Sequence, residues 1–76
     1  MQLSKGKNSE LEIVIGTVIE ALPNTQFRVE VPGKENLILA YLAGKMRMHK
    51  IRVLIGDRVE MVLDLYGEKG RITKRL

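Results

Sequence analysis

The stretch "LEIVIGTVIEALPNTQFRVEV", residues 11–31, decides the fold class. Its first half is rich in β-branched residues and predicts a strand, whose alternating apolar positions are Leu11, Ile13 and Ile15. Gly16 interrupts this alternation. A glycine inside a strand pattern is typical of a bulge or sharp bend, by which one strand can serve two sheets. We therefore predict a long, bent first strand.

The second half of this stretch predicts a turn and a second strand. Pro23-Asn24 is a turn signal. Beyond it, apolar and polar residues alternate cleanly. We expect Phe27, Val29 and Val31 to face the core and the polar residues between them to face solvent.

Three further strands follow. A turn at residues 32–34 leads into a strand over 36–42, and the Gly-Asp turn within residues 54–66 starts the fourth. A last turn, residues 67–70, leads into the final strand, residues 71–76. Short strands at this spacing indicate a barrel or sandwich, with the only helix expected between strands 3 and 4.

This pattern favours an all-β, five-stranded OB-fold barrel with a short helical turn between strands 3 and 4; an SH3-like barrel is the alternative. Seventy-six residues make one domain. Residues 1–10 are polar and contain glycine, and they are expected to form a flexible tail. Residues 11–76 would then form the OB-fold domain.

Composition excludes several classes of protein. The hydrophobic fraction of 45% is ordinary for a globular domain. The absence of cysteine removes disulfides and thiolate zinc sites, and it fits a reducing cytosol. No apolar run approaches the ~20 residues of a membrane span, and the amino terminus lacks the apolar block of a secretory signal. A cytoplasmic protein is expected.

Positive charge is concentrated in the second half of the chain. Residues 1–35 hold four Lys/Arg and five Asp/Glu, whereas residues 36–76 hold nine and four. The cations gather at residues 45–52 and 69–75. Such asymmetry indicates a polyanion partner, although solubility alone can also produce it.

The connector "GKMRMHKIRV", residues 44–53, is too charged to be a buried strand. Leu42 and Met46 are four residues apart and would share one face of a helical turn that closes an end of the barrel. Met46 is interpreted as core filling. Met48 either fills a gap or makes an exposed apolar contact with a partner, and His49 is expected at the surface.

The sequence offers few of the residue combinations that catalytic sites use. One histidine and no cysteine leave no familiar metal cluster and no Cys–His pair. Gly44-Lys45 lacks the upstream glycine and the following Ser/Thr of a phosphate-binding loop. We predict a protein that is not an enzyme and has no metal site.

The few aromatic residues narrow the mode of RNA binding. Barrels that grip single strands stack bases on exposed aromatics. This chain has three aromatic residues; Phe27 is expected inside, and Tyr41 either offers a stacking face or fills the core. Cation contacts to phosphates and to the shape of a folded RNA therefore fit better.

Three segments, "ALPNTQFRVEV", "AYLAGKMRMHKIRVLIGDRV" and "GRI" at residues 70–72, resemble bacterial-type translation initiation factor one. The resemblance covers roughly residues 16–75. It implies a single OB-fold domain that binds the A site of the small ribosomal subunit through its rRNA. It also implies cooperation with the second and third initiation factors in start-site and initiator tRNA selection, a monomer off the ribosome, and no catalysis or cofactor.

The resemblance also implies a set of RNA-binding residues. The connector and the last strand supply most of these residues. At positions 50 and 74 the family often has an aromatic residue, whereas this chain has lysine, so charge would replace stacking at both positions. The full expected set is Lys45, Met46, Arg47, Lys50, Arg52, Arg71, Lys74, Arg75 and Tyr41. Two other functions remain open, a cold-shock-like single-stranded RNA chaperone and a small protein-interaction module. The source could be bacterial or organellar.

Overall fold

A computed structural model describes residues 12–64 and 67–76. Its elements are β1 (Glu12–Leu22), β2 (Gln26–Glu30), β3 (Ile38–Leu42), α1 (Gly44–Met48), β4 (Arg58–Leu63) and β5 (Lys69–Arg75). The strands form a closed barrel in the order β1-β2-β3-β5-β4, in which only β3 and β5 pair in parallel. The predicted OB-fold barrel, with its helical turn between strands 3 and 4, is confirmed. The predicted tail, residues 1–10, lies outside the described residues.

Strand β1 is shared between two sides of the barrel. It pairs with β4 through residues 12–17 and with β2 through residues 17–22, where the register has one irregularity. At Gly16 an added Cβ would lie 2.5 Å from Val29 Cγ1 and 2.7 Å from the Glu30 carbonyl oxygen. Close packing therefore requires glycine here. The long first strand serves two sides of the barrel as predicted, but its irregularity lies between Val18 and Glu20 rather than at Gly16.

The apolar series at the start of β1 marks the outer face of the barrel. Ile13 is 68% exposed and Ile15 is 42% exposed, whereas Val14 packs against the core. Leu11, the first member of that series, lies outside the described residues. Both faces of this strand carry β-branched side chains, so the period of two alone does not indicate which face is buried.

The core confirms the orientation expected for β2, since Phe27, Val29 and Val31 are all buried. α1 adds Met46, which is 1% exposed, so its interpretation as core filling is confirmed. Leu42 is the last residue of β3 rather than part of a helical turn, although its side chain also joins the core. Among the described residues the cluster comprises Val18, Phe27, Val29, Val31, Ile38, Ala40, Leu42, Met46, Val53, Val59, Met61, Leu63 and Ile72.

Candidate nucleic-acid interface

The basic connector is anchored to the barrel at the start of α1. The Ala43 N–H donates to the Ile72 carbonyl oxygen of β5 at 2.9 Å. The Ala43 carbonyl in turn accepts the N–H groups of Met46 and Arg47, at 3.0 and 3.2 Å. The helix therefore begins at a residue that is hydrogen-bonded to the last strand, and the position of α1 depends on β5.

The end of α1 is a tight cap in which Lys50 adopts a left-handed conformation, with φ 53°. The Lys50 N–H donates to the Arg47 carbonyl at 3.1 Å, and the Ile51 N–H donates to the Met46 carbonyl at 3.0 Å. These two bonds form a Schellman motif, which normally has glycine at the left-handed position. Because lysine stands there instead, sequence patterns gave no signal for this cap.

The side chains of the connector divide sharply between the core and the solvent. Met46 is buried, whereas all four connector cations are exposed. Met46 is also one of the expected RNA contacts; its side chain is 1% exposed and packs in the core, which argues against a direct side-chain contact. His49 is exposed, as expected.

The connector and the carboxy-terminal end of β5 meet on the same side of the barrel. Arg75 Nη1 donates to the carbonyl oxygen of Arg52 at 3.1 Å. Beside this contact lies a groove of about 500 Å³, whose apolar part comes from Met46 and Ile51. The other lining residues are Lys45, His49, Thr73, Lys74 and Arg75. The two basic segments therefore form one surface, which we call the basic groove.

A bulge in β5 directs Lys74 outward. Glu60 pairs with Lys74 while the adjacent Met61 pairs with Ile72, so Thr73 is an extra residue on β5. The Thr73 hydroxyl donates to the Glu60 carbonyl at 3.2 Å. Without the bulge, strict alternation after the buried Ile72 would turn Lys74 inward.

Arg71 does not line the basic groove. It lies in register with Tyr41 of the parallel neighbour β3, and both line a separate hollow of about 360 Å³. Tyr41 is 43% exposed, so of its two predicted roles the structure excludes core filling and leaves a face for stacking. The expected site residues thus fall into two neighbouring groups rather than one.

Lys69 is a cation of this second group that the sequence reasoning did not single out. It lines the hollow together with Arg71, two positions further along β5. Residues 67–70 are predicted as a turn, whereas β5 begins at Lys69, so Lys69 and Arg71 are two apart on one strand and share its face. The expected site on β5 therefore extends one side chain further towards the start of the strand.

Acidic residues lie beside some of the site cations, since Glu60 is in register with Lys74 and Asp64 lines the same hollow as Lys69 and Arg71. Two ion pairs among the described residues are Arg28–Glu20 and Lys34–Glu12, each at 3.2 Å. Both belong to the first half of the chain, whose formal charge balance is negative. The cations of the basic groove therefore take part in neither pair, and they present their charge to solvent.

Other kinds of site find no support in the part of the chain that the structure describes. Within residues 12–64 and 67–76, no group of three His, Cys, Asp or Glu side chains could hold a metal ion. No helix in these ranges is long and apolar enough to cross a membrane. The exposed cations are thus the chemical feature from which a function can be argued.

Comparison with known proteins matches nearly the whole chain to a family. Residues 2–76 match the family described as translation initiation factor 1A / IF-1. The chain is similar to the solution structure of translation initiation factor IF-1 from the Wolbachia endosymbiont strain TRS of Brugia malayi, with 37% identity and a TM-score of 0.71. The match covers 99% of this chain and 88% of that one.

It is also similar to YjeQ from Thermotoga maritima, with 32% identity and a TM-score of 0.70. That match covers 86% of this chain but 23% of YjeQ. The similarity to YjeQ is therefore confined to less than a quarter of that protein.

Proposed function

The chain belongs to the translation initiation factor 1A/IF-1 family, and we propose that it binds the A site of the small ribosomal subunit through rRNA. Membership makes it a translation initiation factor that works on ribosomes, in the cytoplasm or in an organelle. The family consists generally of non-enzymatic RNA-binding proteins with this barrel. Similarity to a bacterial member favours a bacterial cytoplasm.

The observation that carries the proposal is the meeting of the two basic segments. Arg52 and Arg75 are in direct contact, and Lys45, Lys74 and Arg75 line one groove. Guanidinium groups bind phosphate oxygens through paired N–H donors, and ammonium groups act as point charges. Cations fixed on a rigid barrel can match the phosphates of a folded RNA without first being ordered.

Occupation is the mechanism that this surface supports. The barrel would fill the decoding site and exclude elongator tRNA, while cation–phosphate contacts hold it in place. Tyr41 and Arg71 would extend the contact along the β3–β5 face. Cooperation with the second and third initiation factors in selecting the start site and initiator tRNA completes the proposal.

A cold-shock-like chaperone is less well supported. Such proteins stack successive bases on several exposed aromatics. Among the described residues Phe27 is buried and Tyr41 alone offers an aromatic face. A protein-interaction module accounts poorly for the concentration of cations in one groove.

Equilibrium binding to purified small ribosomal subunits, measured at several salt concentrations, tests the proposal. Arg47→Ala should weaken binding and lower the slope of log affinity against log salt by about 0.7–0.9, the contribution of one neutralised phosphate. Arg28→Ala is the matched control, because Arg28 is an exposed cation already paired with Glu20. Salt-independent affinity, or equal loss in both variants, would contradict binding through the exposed cations of the connector.

The proposed cooperation with the second and third initiation factors, and the proposed binding at the A site, require separate measurements. Co-sedimentation with small subunits should improve when the second and third initiation factors are both present. Bound protein should also be released by a ligand that occupies the A site. Retention of the protein beside an occupied A site would move the proposed binding site elsewhere on the subunit.

A further inference from the structure

We propose that Met48 packs against the face of a nucleobase when the protein binds RNA, which adds an apolar anchor to the contacts of the cations around it. This inference rests on the proposed function and deepens it. It concerns a residue that carries no charge and that the expected binding set omitted.

Met48 is unusually exposed for a large apolar side chain. At 77% it has the largest exposed fraction of the large hydrophobic side chains that the structure describes. The other two described methionines, Met46 and Met61, are 1% and 0% exposed. Lysine or glutamine would be as good in a helix, and either would be better hydrated. A contact made only on binding would account for methionine at this position.

Helix geometry directs Met48 away from the barrel. At about 100° per residue, Met48 lies about 200° around the axis from the buried Met46. By the same spacing, Arg47 lies about 100° from Met48 on one side, and Lys45 lies about 60° from Met48 on the other side. The thioether therefore lies at the outermost part of the connector, between two exposed cations.

Backbone hydrogen bonds at both ends of α1 fix the position of Met48. α1 is tied to β5 at its start through Ala43 and Ile72, and its end is closed by the Schellman bonds of Lys50 and Ile51. Only the side-chain torsions of Met48 remain to be ordered on binding. The entropic cost of using it as an anchor is correspondingly small.

The chemistry of the tip favours a base over a protein surface. A thioether gains nothing from a phosphate, but it makes favourable contacts with aromatic faces, and nucleobases offer such faces. Methionine is among the apolar wedges that groove-binding proteins insert between base steps. The chain has no acidic residue between Glu35 and Asp57, so cations surround the tip and a polyanion fits it best.

Salt titration of binding to small ribosomal subunits separates this anchor from the cations. Met48→Ala should weaken binding by about 2- to 10-fold at every salt concentration without changing the salt slope, since no phosphate contact is lost. Met48→Leu keeps the apolar volume and should stay within about twofold of the parent. The unfolding midpoint should not move in either variant, because Met48 is exposed.

A photo-crosslinking amino acid with a diazirine side chain at position 48 identifies the partner directly. Crosslinks to rRNA support the proposal, and crosslinks only to ribosomal protein overturn it. Unchanged affinity in Met48→Ala, alongside a weakened Arg47→Ala with a lower salt slope, also overturns it while leaving the proposed function intact. If neither variant changes binding, the proposed function fails as well.

Discussion

Arg75 Nη1 donates a hydrogen bond to the main-chain carbonyl of Arg52 at 3.1 Å, across 23 positions of sequence. This bond joins β5 to the segment that follows α1, and it places the Arg75 guanidinium against the main chain of Arg52. A guanidinium has five N–H donors, so one internal bond leaves most of them for phosphate oxygens. Arg75 can therefore hold the connector and contact RNA at the same time.

Arg75→Ala should lower affinity for small ribosomal subunits by about 5- to 20-fold at moderate salt, because a charge-assisted contact and the tie to Arg52 are both lost. The salt slope should fall by about 0.7–0.9. Arg75→Lys should restore the slope without restoring the full affinity, since an ammonium lacks the planar fork. Equal affinity in the parent and both variants would show that Arg75 does not contact the RNA.

Replacing Lys50 with glycine should have opposite effects on the stability of the protein and on its binding to RNA. Its left-handed conformation is one that glycine adopts without steric cost, so Lys50→Gly should leave the free energy of unfolding unchanged or raise it by up to about 1 kcal/mol. The same change removes a cation and should weaken RNA binding. Lys50→Asn is the control, because asparagine tolerates this conformation better than most residues and also removes the charge. Denaturant unfolding and subunit binding measure the two effects; a large loss of stability in Lys50→Gly would contradict the assigned conformation.

Gly16→Ala should destabilise the barrel by about 1–3 kcal/mol or more, because the new methyl group would overlap Val29 and the Glu30 carbonyl. Gly44→Ala is the matched control. A Cβ at Gly44 meets nothing within 4 Å, and alanine favours the helix that begins there. Urea unfolding should therefore rank the parent close to Gly44→Ala and well above Gly16→Ala. Equal midpoints for the two alanine variants would exclude close packing as the reason for Gly16.

Met46→Ala should cost about 2–5 kcal/mol, since it leaves a cavity beneath the connector. Met46→Leu keeps a similar volume and should cost less than about 1.5 kcal/mol. If Met46 acts only through packing, binding by Met46→Leu should match that of the parent. A loss of affinity in the folded Met46→Leu variant would restore a direct role for this side chain in RNA contact.

Sequence patterns predicted most of the barrel, and the failures have a physical cause. The alternation in β2 identified the core face because only one of its faces is apolar, as Phe27 and Val29 show. In β1 both faces carry β-branched residues, so the exposed Ile13 and Ile15 formed the more visible series. Which face is buried there depends on pairing with β4 and β2, and this is a property of the closed barrel.

The binding surface was only partly predictable, for the same reason. The cations stand out in the sequence, but their grouping depends on long-range structure. Arg71 and Lys74 are three residues apart on one strand, yet the bulge at Thr73 places them beside different hollows. The left-handed turn at Lys50 gave no signal either, because glycine is absent there. Only the tertiary fold shows that residues 45–52 meet the end of β5.

The position of β5 between β3 and β4 has a consequence for biosynthesis. A nascent chain that ends before Lys69 lacks the strand that joins β3 to β4. The barrel therefore stays open until β5 has been synthesised. The same strand supplies the carbonyl that anchors Ala43, so α1 would lack its attachment as well. Closure of the barrel and assembly of the basic groove therefore both wait until the fifth strand has been synthesised.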